Sequence, residues 1–377
     1  MQIKQQLWII TELFPPDETA TSYILGEIAN AMVLKYNVRV ICGSEVYDRG
    51  RKIDKNNKFK LHDSIEIYRI KEVDLDKNTI RGKILSFTLV SLRLMSLAKK
   101  YIQKGDKVLM VTNPATIIPL IARLREKRGF ELNILVHDVF PENVYSTGLR
   151  LPMYNIIKCI FDRAYAKADQ LIVLGRDMAK VLNRKVHINS NSFCHKITII
   201  ENWADVENIK PQPFPEGKII LEYAGNIGRV QGLDKVLDMV QRMENIELHI
   251  YGTGAMEEKL KAREQKNVFF HGSYFRSQQN EVLAACDIAI VSLQEGMYGL
   301  GVPSKTYNIL ASGRPILFIG PRDSEIDLLV RENKIGYCEW PEKWDKTTLL
   351  DMGKRARNLA EREYSKKAIL DKFLKAI

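Results

Sequence analysis

No two of the five cysteines lie close enough to form a CxxC element. Cys42, Cys159, Cys194, Cys286 and Cys338 are scattered and odd in number. That argues against a disulfide framework or a structural zinc site, and for free thiols in a reducing compartment. Long apolar runs are also missing. The best, residues 84–98, is too short to span a bilayer and is interrupted by Arg93. The opening MQIKQQLWIITELFPP lacks an apolar core followed by a small-residue cleavage site. Residues 6–11 therefore read as a first strand, not a signal peptide. No nucleic-acid module and no basic–aromatic interleave is present. Acid is scarcer than base: 46 acidic against 57 basic residues leave a net charge of +11. Such a balance points to an anionic partner, a phosphorylated substrate or an anionic membrane surface among them.

What is present is strand–helix alternation from end to end. Strands are predicted at 7–11, 38–42, 65–70, 108–112, 132–136 and 170–174, with helices at 23–36, 81–103, 115–127 and 153–166 between them. Pro211, Pro213 and Pro215 then break the pattern, because each fixes φ and removes a donor. Strands resume at 219–224, 247–251, 268–271, 288–292 and 316–319. The helices of this half fall at 233–243, 256–265, 279–285 and 305–311, and a basic helical stretch covers 347–377. Two parallel-sheet α/β halves follow, joined at residues 203–217, with a ligand groove between them at the carboxyl ends of the strands.

Six elements can carry chemistry. Gly225-Asn226-Ile227-Gly228-Arg229 follows a strand and precedes a helix, so its amides can approach a phosphate; a plain tight turn explains it as well. Gly252 and Gly254 end the next strand in the same way. Ser304 is placed to cap the 305–311 helix. Lys305 then falls in the first turn, where the helix dipole disfavours a cation. A phosphate would explain it; a solvated surface lysine is the bland alternative. His137-Asp138 ends the 132–136 strand and offers a hydrogen-bond donor and an acceptor for a sugar. Asp74-Leu75-Asp76 resembles a metal-binding DxD but reads as a solvated loop, so no metal is expected. The 81–101 helix carries Leu85, Leu89, Leu92 and Met95 beside Arg81, Lys83, Arg93, Lys99 and Lys100. It suits an anionic membrane interface or a core helix with a basic outer face equally well.

LFPPDETATS, HDVFPEN, IENWAD, YAGNIGRVQGL, YGTG and VPSKTYNILASGRP, in that order, resemble family 4 glycosyltransferases of GT-B fold. The nearest likeness is to bacterial transferases of capsule, O-antigen or exopolysaccharide assembly, including the fucosamine-transferase type. The resemblance implies two Rossmann-like domains facing across a central cleft. Residues 1–202 would bind the acceptor and residues 218–360 the nucleotide-sugar donor, with a helix at 361–377 returning to the first domain. It implies a retaining, metal-independent reaction with no cofactor, and UDP as the nucleotide. Thr21 would lie beside the donor phosphates or sugar. His137 and Asp138 would sit near the donor sugar, and Gly225, Asn226 and Gly228 would face the diphosphate. Tyr251, Gly252, Gly254, His271 and Gly272 would flank the nucleoside.

The family's phosphate-clamping Arg and Lys are replaced here by Asn226 and Gln231, so Arg229 and Lys305 would supply the charge. Its two spaced glutamates are replaced by Leu300 and Asn308, leaving Glu295 as the nearest spare carboxylate. The expected partners are a nucleotide-sugar donor, a lipid-linked glycan acceptor and the inner face of the cytoplasmic membrane, touched peripherally, with no nucleic acid. Two rivals remain at this point: a GT-B-fold epimerase of UDP-N-acetylhexosamine, and a non-catalytic binder of an anionic ligand.

Overall fold

A computed structural model describes residues 4–17, 19–45, 59–72, 80–187, 196–243 and 245–377. The first half runs β1 (Gln6–Ile10), α1 (Ala20–Met32), β2 (Asn37–Cys42), β3 (Glu66–Arg69), α2 (Ile80–Tyr101), β4 (Lys107–Val111) and α3 (Ile118–Arg128). It continues through β5 (Glu131–Val136), α4 (Glu142–Ser146), α5 (Tyr154–Tyr165), β6 (Gln170–Val173), α6 (Arg176–His187) and β7 (Lys196–Ile199). The second half runs β8 (Ile219–Ala224), α7 (Leu233–Val240), β9 (Ile246–Tyr251), α8 (Glu257–Lys261), β10 (Val268–Gly272), α9 (Gln279–Ala284) and β11 (Ile288–Ser292). Then come α10 (Lys305–Ala311), β12 (Ile316–Ile319), α11 (Glu325–Asn333), β13 (Gly336–Tyr337), α12 (Lys346–Glu363) and α13 (Lys366–Ala376).

The strands form two sheets, ordered β3-β2-β1-β4-β5-β6-β7 and β10-β9-β8-β11-β12-β13. Every pairing within them is parallel. Helices cover both faces, so the central strands are apolar throughout rather than alternating. Order reverses between β1 and β4 in one sheet and between β8 and β11 in the other. Those are the points where an open parallel sheet offers a crevice at its carboxyl end.

Local chemistry sets the boundaries. The Thr19 hydroxyl accepts from the Ser22 N–H and starts α1. Gly129, at φ +72°, ends α3 in the left-handed conformation. The helical stretch expected at 347–377 is two helices, the second being the one expected to return to the first half. Ser365 caps α13 by accepting from the Ala368 N–H, and Tyr364 O accepts from the Ala204 N–H of the inter-sheet segment. From that break α13 packs on α1, with Lys366 3.1 Å from Glu27. The alternation used for prediction missed α4, α6, β7, α11 and β13. α4, β7 and β13 are short; α6 and α11 carry buried apolar residues at helical spacing that the reading passed over.

Candidate active site

Three strand-end loops of the second sheet interlock. The Gly225 N–H donates to Tyr251 O at 2.9 Å, Ile227 N–H to Thr253 O at 2.9 Å, and Gly252 N–H to Gly272 O at 2.7 Å. A Cβ on Gly252 would lie 1.9 Å from Gly225 O, and one on Gly254 2.4 Å from Ile227 O. Glycine is needed at these two positions so that the loops can pack against each other. This corrects the expectation of a continuous amide cradle over 225–228, because Gly225 and Ile227 have already spent their N–H groups. Among the described residues, the N–H groups of Asn226, Gly228, Arg229 and Val230 have no acceptor. They remain at the open edge of the turn. Arg229 lies exposed beside them and makes no ion pair among the described residues.

Lys305 opens α10 beneath that turn. Its Nζ is closed off from solvent and has no hydrogen-bond partner. It lies 3.2 Å from the centroid of the Tyr223 ring, whose hydroxyl donates to Asn226 O at 2.7 Å. The solvated-lysine alternative is therefore overturned. Burial draws the ammonium well below its usual range, and Glu222 acts against that. Glu222 was missed at the sequence level, although an acid inside the strand IILEYA is itself a signal. It is fully buried in β8, and neither carboxyl oxygen has a partner. Burial pushes its carboxyl up to about 8, opposed by Lys305 and Arg314.

One expectation on this side is corrected. Ser304 does not cap α10: its backbone is already helical (φ −63°, ψ −27°) and its side chain makes no cap bond. Glu295 is exposed and faces Lys235 at 3.8 Å.

Tyr251 and His271 stack at 4.3 Å with 14° between their planes, and His249 stacks beyond at 5.0 Å. His271 Nε2 and His249 Nδ1 share a 3.0 Å hydrogen bond. A ring ladder thus ends at the rim of the glycine loops. Gly272, at φ +74°, has open space where a Cβ would project.

The first half brings His137 and Asp138 to meet this edge. Both backbone N–H groups donate to Thr112 Oγ1, at 3.1 and 3.3 Å, which ties the ends of β4 and β5 together. Asp138 forms a β-bridge with Gly301, and the adjacent Val139 N–H donates to Leu300 O at 2.9 Å. The halves therefore touch four residues before Lys305. Asp138 stays solvent-accessible but has protein on every side, and that desolvation pushes its carboxyl up to about 6. His137 Nε2 is buried without a partner, and burial pulls the imidazole down to about 4, so it is neutral near pH 7. Further contacts clasp the halves. Arg176 binds Glu325 at 3.0 Å and Glu332 at 2.9 Å, and Asp177 accepts from the Gly299 N–H at 3.2 Å.

Thr21 lies in the first turn of α1, half-buried. Two residues on, the Tyr23 ring carries the Arg276 guanidinium of the second half at 3.6 Å. No hydrogen bond joins Thr21 to the 225–228 turn among the described residues. Asp74 and Asp76 fall outside the described residues. Among those described, no group of three or more His, Cys, Asp or Glu could hold a metal, and no helix is long and apolar enough to cross a membrane.

The family model described as glycosyl transferases group 1 matches residues 218–336, the second sheet with its loops. WbjE of Pseudomonas aeruginosa, a probable glycosyltransferase, is 33% identical over 321 residues, 78% of each chain. WcaI of Escherichia coli K12, a putative colanic acid biosynthesis glycosyl transferase, is 29% identical over 190 residues, 46% of this chain and 47% of its own. A solved structure of trehalose-6-phosphate from E. coli bound with UDP-2-fluoro glucose shares the fold, with a TM-score of 0.68 at 10% identity over 98% of both chains. The chain belongs to the group 1 glycosyltransferases: it is a glycosyltransferase of GT-B architecture and of the family 4 type.

Proposed function

We propose that this enzyme moves a hexosyl or N-acetylhexosaminyl unit from a UDP-linked donor to a lipid-linked or polysaccharide acceptor, with retention, in surface-polysaccharide assembly. One observation carries the reading: the buried Nζ of Lys305 has no hydrogen-bond partner and lies beside the Gly225 turn, whose outer amides are free, four residues after the Asp138–Gly301 contact. A diphosphate on that turn would supply the missing acceptor for its N–H groups. The colanic acid role in the name of WcaI and the UDP-sugar in the structural neighbour agree with the substrate classes.

In this reading Arg229, Lys305 and the amides of Asn226 and Gly228 stabilise the departing diphosphate, so no metal is required. The acceptor hydroxyl attacks from the leaving-group side and gives its proton to a phosphate oxygen. Neutral His137 donates to a donor-sugar hydroxyl, and ionised Asp138 accepts from one. The Tyr251–His271 stack borders the nucleoside. The protein works in the cytoplasm and touches an anionic membrane peripherally. A thermal-shift screen against nucleotide sugars tests this. UDP-sugars should raise Tm, and a panel in which none does so overturns it.

A further inference from the structure

The helix expected to meet the membrane, α2, divides its leucines. Leu85 and Leu92 are half-exposed, Leu89 is partly covered and Met95 is buried. Another exposed apolar face lies two helices away. α2 packs on α3 and α3 on α5, so the three lie side by side. On α5 and the turn before it, Met153 is 71% exposed, Ile156 59% and Ile160 47%. Their spacing of three and four residues puts them in one stripe along a helix of ~18 Å. Tyr145 and Leu149 extend the stripe toward α4.

Exposed charge on α5 and α6 beside the stripe is basic, while Glu126 of α3, paired with Lys167, is an exposed acid near its far end. Arg150 and Arg163 are exposed at its two ends. The one acid in 145–163, Asp162, is buried against Lys185 and Lys158. The neighbouring α6 exposes Lys180 and Arg184, while its acid, Asp177, is buried. An apolar face with exposed cations on its own helix and on α6 matches the interface of an anionic bilayer.

The position of the stripe also suits that occupant. Asp138 lies four residues before α4, and Ser146 Oγ at the end of α4 donates to Met297 Sδ of the second half at 3.1 Å. The apolar face therefore begins at the mouth of the cleft between the two sheets.

We propose that α5 and the preceding turn dock this enzyme on an anionic lipid bilayer through Met153, Ile156 and Ile160, with Arg150 and Arg163 at the headgroups. The proposal rests on the membrane contact in the proposed function and names the surface that makes it. The test is cosedimentation of the full chain with phosphatidylcholine vesicles, with and without phosphatidylglycerol. Wild-type protein should pellet with the anionic vesicles. The combined Met153→Asp, Ile156→Asp, Ile160→Asp variant should lose at least about tenfold in bound fraction, with unchanged circular dichroism and UDP affinity. A Leu85→Asp, Leu92→Asp variant should pellet nearly as wild type. A triple variant that pellets like wild type overturns the proposal, as does detachment by the Leu85/Leu92 variant instead. A dimer in analytical ultracentrifugation that the triple variant dissociates overturns it in favour of self-association. Wild-type protein indifferent to both vesicle types removes the membrane contact itself, while UDP binding reports separately on the enzymatic reading.

Discussion

Lys305 Nζ lies 3.2 Å from the centroid of the Tyr223 ring and has no hydrogen-bond acceptor. Cation–π attraction offsets part of the desolvation of the ammonium, but not the loss of hydrogen bonds to water. The resting enzyme thus holds a cation at a cost, and an anionic ligand is what would repay it. Lys305→Ala should weaken UDP binding about 10- to 100-fold. Lys305→Met should leave the ligand-free protein at least as stable as wild type. Calorimetric UDP titration and thermal melts read the two effects. Unchanged UDP affinity would remove Lys305 from the site.

Glu222 makes stability depend on pH. Its folded-state pKa is raised from 4.5 to about 8, chiefly by burial. The stabilising effect of its protonated form is complete below the unfolded value and is lost as pH rises through about 8. Glu222→Gln should therefore match wild-type Tm at pH 4 and exceed it at pH 9. A difference in Tm that does not change with pH would contradict this.

Asp138 ties pH to rate. Desolvation by the surrounding protein raises its carboxyl to about 6, although the side chain reaches solvent, and the proposed role needs the ionised form. The pH profile of kcat/KM should fall on the acid side of about pH 6. Asp138→Asn should abolish that limb and lower kcat/KM about 100-fold. A limb that persists in the variant assigns it to another group.

Two glycines of the same loops should respond differently. Gly252 has φ +129°, and an added Cβ would meet Gly225 O at 1.9 Å. Gly252→Ala should cost at least about 3 kcal/mol through strain and displaced backbone. Gly272 has φ +74° and open space, so Gly272→Ala should cost only about 1 kcal/mol. Urea denaturation compares them.

The clasp at α6 is also unequal. Glu325 is 7% exposed at its side chain and Glu332 52%. Arg176→Ala strands the buried carboxylate and should destabilise by about 2–3 kcal/mol, reduced from the fully buried case because Arg176 itself is partly solvated. Glu332→Ala should cost less than about 1 kcal/mol. Denaturant melts separate the two.

Strands such as β11 and β12 were legible to the residue, because a strand covered on both faces is apolar almost throughout. The resemblance set off a separate helix at 361–377, but nothing in the sequence reading placed the break at Ser365, where Tyr364 O accepts from Ala204 N–H. Glycines were rightly read as turns at strand ends. Their reason was misread, because the backbone that fills the space of a Gly252 Cβ comes from a loop 27 residues earlier.

Alternating αβ texture and the ordered motifs by themselves determined a pair of parallel-sheet halves and a sugar transferase. The halves follow from short-range residue preferences that a linear chain displays openly; the transferase follows from the resemblance of the ordered motifs to a known family. Tertiary structure alone decided that Lys305 Nζ is buried rather than solvated, that Glu295 turns outward to Lys235, that Glu222 is a buried acid without a hydrogen-bond partner, and that α5 exposes Met153, Ile156 and Ile160 along one stripe. Burial and partnership depend on which distant atoms surround a side chain, and local sequence carries no record of them.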